Sequence, residues 1–237
     1  MERVKIAIVG GGVQGLSLAY FLSKNPDRYD VTLFERNKKL GGLLGILEVN
    51  GTPLEGFYHH WFNYDTDIID LVKELGLGDR LLYLKSKMGL LYGDRIYPIA
   101  TPLDLLKFSP IPLWDRVRVG LVTLWLKSIK DYRGLEKVKA AYWLRKWMGQ
   151  KGYKVIWEPL LEGKFGKHKE EITMAWMWSR LSGRAKTRTS GGGKEELVYP
   201  RYGFKSLIDA MAAKILGAGN HIELNIAIEK VFEGNRL

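Results

Sequence analysis

The sequence has no cysteine among its 237 residues. This absence excludes disulfides, cysteine-ligated metals and thiol nucleophiles, and it is typical of a chain that works in a reducing, cytoplasmic compartment. Any redox chemistry must therefore come from a bound cofactor. Long apolar runs are also scarce. The uncharged stretch from Ile6 to Leu22 is shorter than the ~20 residues of a membrane span, and glycines interrupt it, so we expect neither a span nor a signal peptide.

Basic residues outnumber acidic ones: the sequence has 37 Lys and Arg and 26 Asp and Glu, which gives a formal net charge of +11. Such an excess favours anionic partners: a dinucleotide, a phosphorylated substrate, nucleic acid or an acidic membrane surface. Nucleic acid is the least favoured partner, since no helix-turn-helix, zinc-finger or aromatic RNA-binding signature accompanies the charge. With 46% hydrophobic residues the chain can bury a core, and its length predicts one or two globular domains.

The amino-terminal residues carry the most specific pattern in the sequence. Val4 to Val9 is a β-branched apolar run, which predicts a central parallel strand buried on both faces. Gly10, Gly12 and Gly15 follow as G-x-G-x-x-G, and Leu16 to Leu22 predicts a helix. In this arrangement the glycines permit a tight turn, close approach of a pyrophosphate and close helix packing, while the helix amides attract the phosphates.

A second predicted strand, Val31 to Phe34, ends at Glu35, about twenty residues past Gly15, where the fingerprint requires a carboxylate for a ribose hydroxyl. An acid there also disfavours a 2′-phosphate. A glycine pattern alone would fit an ordinary glycine-rich loop. Strand, glycines, helix, strand and acid in register favour a dinucleotide site instead.

Glu35 is followed by Gly41 and Gly42, which gives E-x5-G-G. Here the chain resembles the FAD-dependent amine oxidase superfamily, which includes protoporphyrinogen oxidases and phytoene desaturases. The resemblance implies FAD as the cofactor, with Gly41, Gly42 and Leu43 beside the flavin diphosphate. Many members have Arg where this chain has Leu43, which removes one phosphate partner and weakens kinship with the monoamine oxidases.

The segment from Gly56 to Phe62 resembles one that lies near the flavin in protoporphyrinogen-oxidase-like proteins. The resemblance implies a position beside the flavin for His59 or His60, and the alternative is that both pack beneath the dinucleotide fold. Because adjacent histidines lack paired metal-ligand spacing, we expect no metal site. Asp65 and Asp67, beside Thr66, are expected to cap a helix over Ile68 to Leu75 rather than to bind calcium.

The middle of the chain predicts a second, mainly helical region. Met88 to Tyr97 reads as a hairpin with its turn at Gly93 and Asp94, and Pro112 to about Gln150 has helical periodicity with tryptophans between basic residues. Two interpretations stay open for these helices: an ordinary core with a solvated rim, or peripheral contact with an anionic membrane. Ala175 to Leu181 also reads as helical, and Arg184 to Lys194 as a basic loop.

The carboxyl-terminal part predicts a return to the dinucleotide domain. Tyr199 to Phe204 resembles the P-x-G-G turn of the superfamily and precedes a predicted helix, Leu207 to Leu216. Ile222 to Asn225 and Ile226 to Phe232 alternate as strands, and Gly234 with Asn235 opens a hairpin whose return strand is absent. The resemblance implies that Val231 lies where backbone groups meet the adenine, and we expect the chain to be truncated.

Together these patterns predict an α/β fold: a Rossmann-like FAD-binding domain of the GR2 type with an inserted, mainly helical substrate domain. The expected divisions are 1–85 for the FAD-binding part, 86–197 for the substrate domain and 198–237 for the return. The predicted cofactor-binding residues are Gly10, Gly12, Val13, Gln14, Gly15, Glu35, Arg36, Gly41, Gly42, Leu43, His59 and Val231.

The function that the resemblance implies is an FAD-dependent oxidoreductase that passes hydride or electrons from a small, apolar substrate to the flavin. Two alternatives stay open: a non-oxidising flavoprotein of the UDP-sugar mutase kind, and a catalytically idle nucleotide-binding fragment. No side chain can be assigned as acid or base for the chemical step, and the oligomeric state is not predicted.

Overall fold

The computed structural model describes residues 2–186 and 196–232. The strands in these residues are β1 Val4–Val9, β2 Tyr29–Glu35, β3 Ile46–Val49, β4 Thr52–Glu55, β5 Trp61–Phe62, β6 Leu81–Lys85, β7 Gly89–Tyr92, β8 Arg95–Pro98, β9 Glu196–Pro200 and β10 His221–Leu224. The α-helices are α1 Val13–Ser23, α2 Thr66–Glu74, α3 Pro102–Lys107, α4 Leu113–Ser128, α5 Ala140–Met148, α6 Gln150–Gly152, α7 Glu158–Phe165, α8 Met174–Lys186 and α9 Lys205–Gly217.

The amino-terminal sheet has the order β1-β2-β10, and both pairings are parallel. Ile8 of β1 and Ile222 of β10 lie opposite Leu33 of β2, which is fully buried. The prediction that β1 is buried on both faces is wrong, because Val4 and Val9 are 55% and 61% exposed. In the described residues β1 pairs only with β2, so its other edge has no neighbouring strand.

The described residues also form two antiparallel hairpins. The hairpin of β7 and β8 confirms the expected turn, with Gly93 in the left-handed region at φ 59°. The hairpin of β3 and β4 was not predicted from the sequence. Its turn is Asn50 and Gly51, with φ values of 51° and 77°. An Asn-Gly pair between two apolar runs is a strong hairpin signal, so the information was present in the sequence.

By internal contacts the described chain divides into two compact units, and the first lies within Met1–Trp61, Asp65–Tyr83 and Val198–Leu237. Its core forms where α1, α2 and α9 pack with the inner strand of the parallel sheet. Helix α1 is apolar throughout most of its length, and Leu16 and Ala19 are fully buried. The core of this unit includes Leu16, Ala19, Val31, Leu33, Val72, Phe204, Leu207, Met211 and Ile215.

The second unit lies within Phe62–Tyr64 and Leu84–Leu197 and has a separate, mainly helical core. Helix α3 begins with a capping box, because the Thr101 hydroxyl accepts from the Asp104 amide and the Asp104 carboxylate accepts from the Thr101 amide. The core of this second unit includes Phe108, Ile111, Val119, Leu126, Leu144, Met148, Tyr153, Leu161, Met174 and Met177.

The structure differs from several expectations that were drawn from the sequence. The strand expected over Ile226 to Phe232 is wrong, because these residues have no regular secondary structure. The basic loop expected over Arg184 to Lys194 is wrong at its start, because α8 extends to Lys186. The rest of that loop, from residue 187 onward, and the hairpin at Gly234 and Asn235 lie outside the described residues. Asp65 precedes α2 as expected, but its side chain makes no capping hydrogen bond. Across residues 2–186 and 196–232, no helix has the length and apolar character needed to cross a membrane.

Candidate dinucleotide site

The turn between β1 and α1 requires glycine at two of its three signature positions. Gly10 has a φ of 105°, a backbone conformation that side chains disfavour. At Gly15 a Cβ would lie 2.0 Å from the Gly10 carbonyl oxygen, so even alanine would clash with backbone. Gly12 differs, because a Cβ there would lie 3.9 Å from its nearest neighbour, the Gly42 Cα. Neither packing nor conformation explains Gly12, and this favours close approach of a ligand as the reason for it.

The second pair of glycines lies directly against the first turn. The Gly41 amide donates to the Gly11 carbonyl at 2.8 Å, and Gly41 forms a parallel bridge with Gly12. A Cβ on Gly42 would lie 3.1 Å from the Gly12 Cα, and both Gly41 and Gly42 have positive φ values, 117° and 56°. Two glycine segments that are about thirty residues apart in sequence therefore form one side-chain-free surface, the glycine cradle.

The amino terminus of α1 opens onto this cradle. No side-chain hydrogen bond caps the helix at Gly12. The first hydrogen bond within the helix is the one that the Leu16 amide donates to the Gly12 carbonyl at 3.0 Å. The amides of Gly12, Val13 and Gln14 come before it and therefore have no acceptor within the helix. These donors, together with the positive end of the helix dipole, suit a phosphate group.

Glu35 is buried beside the cradle, with 6% of its surface exposed. One carboxylate oxygen, Oε2, accepts from the Gly11 amide at 2.7 Å. The other, Oε1, accepts from the amide and the side chain of Asn37 at 2.8 and 2.7 Å. An ionised carboxylate has about four acceptor positions, so three are used and one remains on Oε2, the oxygen on the side of the glycine turn. A ribose hydroxyl could donate to that position.

The pKa of Glu35 lies below its ordinary value of 4.5. Burial acts in the opposite direction and is the largest single effect, but it is outweighed by the hydrogen bonds from Asn37 and Gly11, with a smaller contribution from Arg36. The carboxylate is therefore ionised at neutral pH, which is the form that accepts hydrogen bonds from a ribose and repels a 2′-phosphate.

The other predicted residues of this region surround the cradle. Val13 and Gln14 are exposed on the first turn of α1, and Arg36 is exposed immediately after β2. Leu43 is exposed in a short 3-10 turn that starts at Gly42. The structure thus brings the predicted residues from Gly10 to Leu43 into one locality.

His59 and Val231 are placed differently. The His59 Nδ1 lies 3.1 Å from the Phe57 carbonyl oxygen, and its ring packs edge-on against the buried Phe204 ring at a centroid distance of 5.9 Å. Phe204 precedes α9, and α9 reaches the cradle through Ile208, whose Cδ1 would lie 2.7 Å from a Cβ on Gly41. Val231 is 85% exposed and lies outside any strand.

Sequence reasoning missed the residues that support the site. Asn37 holds Glu35 in place, and the Glu55 carboxylate accepts from the Phe204 amide at 2.9 Å at the start of α9. Burial, followed by a hydrogen bond from its hydroxyl to Glu55, raises the pKa of Tyr199 to about 12. No sequence signal marks Glu55, because its partners lie about 150 residues away. Asn37 could have been suspected from its place two residues after a strand-terminal acid.

Two clefts occur on the first unit. One, of about 540 Å³, runs along β1 and borders Gly10, Gly12 and Gly15. The other, of about 890 Å³, lies between α1, α2 and α9 and is lined by Tyr20, Lys24 and Glu74 among others. We identify the first with the candidate site because it borders the glycine cradle, whereas the polar groups named in the second are paired with one another.

The comparisons with known proteins agree with this geometry. Residues 8–75 match the family described as NAD(P)-binding Rossmann-like domain. Coproporphyrinogen III oxidase of Staphylococcus aureus is 25% identical over 98% of this chain and 55% of its own length. Among solved structures, an oxidoreductase from Methanosarcina mazei superposes with a TM-score of 0.68 at 17% identity over 94% of this chain and 51% of its own.

Cyclohexylamine oxidase from Brevibacterium oxydans has the same fold, with a TM-score of 0.67 at 14% identity over 94% of this chain and 51% of its own. The chain is thus similar in sequence to a porphyrinogen oxidase and in fold to an amine oxidase. The expected fold class, α/β with a Rossmann-like nucleotide-binding domain, is confirmed. The chain spans about half the length of the Staphylococcus aureus relative and of both structures.

Proposed function

We propose that this chain supplies the ADP-binding part of an FAD-dependent oxidoreductase. The observation that carries the proposal is the glycine cradle, in which Gly12 faces Gly42 without a packing reason for lacking a side chain. A dinucleotide diphosphate requires this kind of surface, because any Cβ would hold it away from the backbone amides. Glu35 adds the ribose acceptor on the same side.

FAD is the dinucleotide that the arrangement supports best. A single G-x-G-x-x-G turn suits NAD as well as FAD. The second glycine pair, Gly41 and Gly42, extends the side-chain-free surface beyond that turn, and this E-x5-G-G extension resembles the FAD-dependent superfamily rather than enzymes that bind only NAD. Gly10 to Gly15 and the first turn of α1 would hold the diphosphate, with Glu35 on the ribose. When bound, the flavin would accept hydride or electrons from the substrate.

For the substrate we favour a porphyrinogen over an amine. The relative that covers 98% of this chain is named coproporphyrinogen III oxidase, whereas the amine oxidase contributes similarity of fold at 14% identity. A coproporphyrinogen bears several carboxylates, and the net charge of +11 suits such an anionic substrate. The oxidation would take place at a C–C or C–N bond of the macrocycle, with the flavin as acceptor.

Anaerobic reduction of the bound flavin tests this function. The purified protein, saturated with FAD, would be mixed without oxygen with coproporphyrinogen III or with cyclohexylamine while the visible flavin absorbance is followed. We expect bleaching with the porphyrinogen and none with the amine. Retention of bound FAD without bleaching by either substrate would favour the non-oxidising or idle alternatives over the oxidoreductase.

A further inference from the structure

Glu55, at the end of β4, joins the β3–β4 hairpin to the start of α9. Its carboxylate oxygen Oε1 accepts a hydrogen bond from the Phe204 amide at 2.9 Å, across 149 positions in sequence. The Tyr199 hydroxyl, on β9, donates to the same carboxylate. Gly203 leaves room for it, because a Cβ there would lie 3.0 Å from Oε1 and the residue has a φ of 74°. The half-buried carboxylate is therefore held in a defined place.

The start of α9 reaches the second glycine pair of the cradle. Phe204 is 1% exposed, and the rings of Trp61 and Tyr199 pack edge-on against it at centroid distances of 4.8 and 5.5 Å. Ile208 is also buried, and its Cδ1 would lie only 2.7 Å from a Cβ on Gly41. Because residues four apart lie on the same side of a helix, a displacement of Phe204 would also displace Ile208 from the glycine pair.

The backbone connects Glu55 to the same glycine pair from the other side. The amide of the next residue, Gly56, donates to the Gly45 carbonyl at 3.0 Å. The Gly45 amide in turn donates to the Gly42 carbonyl at 3.0 Å. These contacts form a ring that begins and ends at the second glycine pair, and the hydrogen bond from the Phe204 amide to Glu55 closes it.

Other contacts hold the first glycine turn. Gly10 to Gly15 lie between β1 and α1, and the Glu35 carboxylate accepts from the Gly11 amide at 2.7 Å. Opening of the ring would therefore change where Gly42 lies against Gly12, but it would leave Glu35 and the first turn in place.

We propose that Glu55 is a positioning residue of the FAD site, which fixes the second glycine pair against the first glycine turn and so determines how tightly a diphosphate is held. This inference rests on the function proposed above. Glu55 acts through Phe204 and Ile208, and it does so as a hydrogen-bond acceptor. FAD, which has two phosphates, depends on the spacing of the two glycine segments, whereas 5′-AMP, with one phosphate, depends on Glu35 and the first turn.

Calorimetric titration of the 237-residue chain with FAD and with 5′-AMP tests the proposal, because a merely structural role would weaken both ligands alike. Glu55→Ala removes the acceptor, so we expect FAD to bind at least ~10-fold more weakly and 5′-AMP to stay within ~2-fold. Glu55→Gln keeps an oxygen that can accept from the Phe204 amide and should bind FAD as the unmodified chain does.

A milder variant covers the case in which Glu55→Ala does not fold. Tyr199→Phe keeps the ring against Phe204 but removes the hydroxyl that donates to the carboxylate. It should weaken FAD binding by a smaller factor, ~2–5-fold, again without changing the affinity for 5′-AMP. Urea denaturation should show that each titrated variant is folded under the conditions of the titration.

Glu48→Ala is the matched control on the same hairpin. Glu48 lies on β3, and its carboxylate pairs with Lys39 at 3.7 Å with both side chains exposed. The variant removes the same charge but leaves the ring intact, so FAD affinity should stay within ~2-fold. If the unmodified chain binds FAD and Glu55→Ala binds it equally well, or loses 5′-AMP to the same extent, the role of Glu55 is overturned and the proposed function stands. If the unmodified chain binds no FAD, both are overturned.

Discussion

Gly12 and Gly15 lie on the same turn, yet they lack a side chain for different reasons. Alanine at Gly15 would place its Cβ 2.0 Å from a backbone oxygen, so we expect Gly15→Ala to lower the free energy of unfolding by about 1–3 kcal/mol or more. Gly12→Ala has space and an ordinary φ of −73°, so it should fold normally but bind FAD at least ~10-fold more weakly. Urea denaturation and FAD titration of both variants distinguish the two effects. Equal loss of stability in both would contradict this assignment.

Glu35 is predicted to make stability depend on pH. Because its pKa is lowered in the folded protein, the charged carboxylate stabilises the fold above the ordinary value of 4.5, and this contribution is lost as the pH falls through the folded value. Glu35→Gln should cost about 1–3 kcal/mol at neutral pH, since an amide group would face a backbone donor. Urea denaturation at several pH values should show that the difference in free energy of unfolding between the unmodified chain and Glu35→Gln becomes smaller below pH 4.5. If this difference does not depend on pH, the ionised carboxylate is not its source.

The same residue should select against a 2′-phosphate. With one acceptor position free on Oε2, Glu35 can bind the 2′-hydroxyl of ADP but repels a phosphate at that place. In competition with FAD, we expect adenosine 2′,5′-diphosphate to bind at least ~10-fold more weakly than 5′-AMP, which lacks only the 2′-phosphate, and Glu35→Gln to reduce this difference. If the two nucleotides compete equally well with the unmodified chain, Glu35 does not face the ribose.

At the scale of secondary-structure elements, Asn220 joins three of them. Its buried side chain accepts from the Val31 amide of β2 at 2.8 Å and donates to Ser23 of α1 at 3.0 Å, immediately before β10 begins. We expect Asn220→Ala to destabilise the protein by about 1–3 kcal/mol, because it leaves the Val31 amide buried without an acceptor. Thermal unfolding followed by circular dichroism provides the measurement.

Ser23→Ala is the matched control for this prediction. It removes the bond from the Asn220 amide group and the one that the Ser23 hydroxyl donates to the Ala19 carbonyl at 2.6 Å, but leaves the bond between Asn220 and Val31. We therefore expect Ser23→Ala to lose less stability than Asn220→Ala. The double variant should lose less than the two single variants together, since both interrupt one network. Additive losses would mean that Asn220 does not act through Ser23.

The elements that the sequence predicts well are those with local signals. The β-branched run, the glycine turn and the following helix give β1 and α1 directly, and the Gly93 turn gives the β7–β8 hairpin. Of the elements that sequence reasoning misses, the β3–β4 hairpin has a local signal in Asn50 and Gly51, whereas β9 depends on distant partners. Strand β9 lies more than 100 positions in sequence from its neighbours in the β5-β9-β6 sheet. Local periodicity does not reveal such distant pairing partners.

The candidate site follows the same division. The glycines and Glu35 are recognisable because each has a fixed distance in sequence from the others. Asn37 and Glu55, which hold the site together, were not identified, because their roles arise from hydrogen bonds that depend on the folded arrangement. The packing of α4 was left open from the sequence for a related reason, because helical periodicity marks its apolar residues but not which of them are buried.

At the scale of the whole molecule, the described chain has two compact units with separate buried cores, and the glycine cradle belongs to the first of them. Substitutions in the second unit therefore leave every residue of the cradle unchanged.

The central claim is that the glycine cradle binds the ADP half of FAD. Its most direct test is a fluorescence titration of the purified chain with FAD, with 5′-ADP and FMN as competitors, repeated with Gly12→Ala. The account predicts saturable FAD binding that 5′-ADP displaces and FMN does not, and an affinity at least ~10-fold lower in Gly12→Ala. No saturable binding, displacement by FMN alone, or unchanged affinity in Gly12→Ala would contradict it.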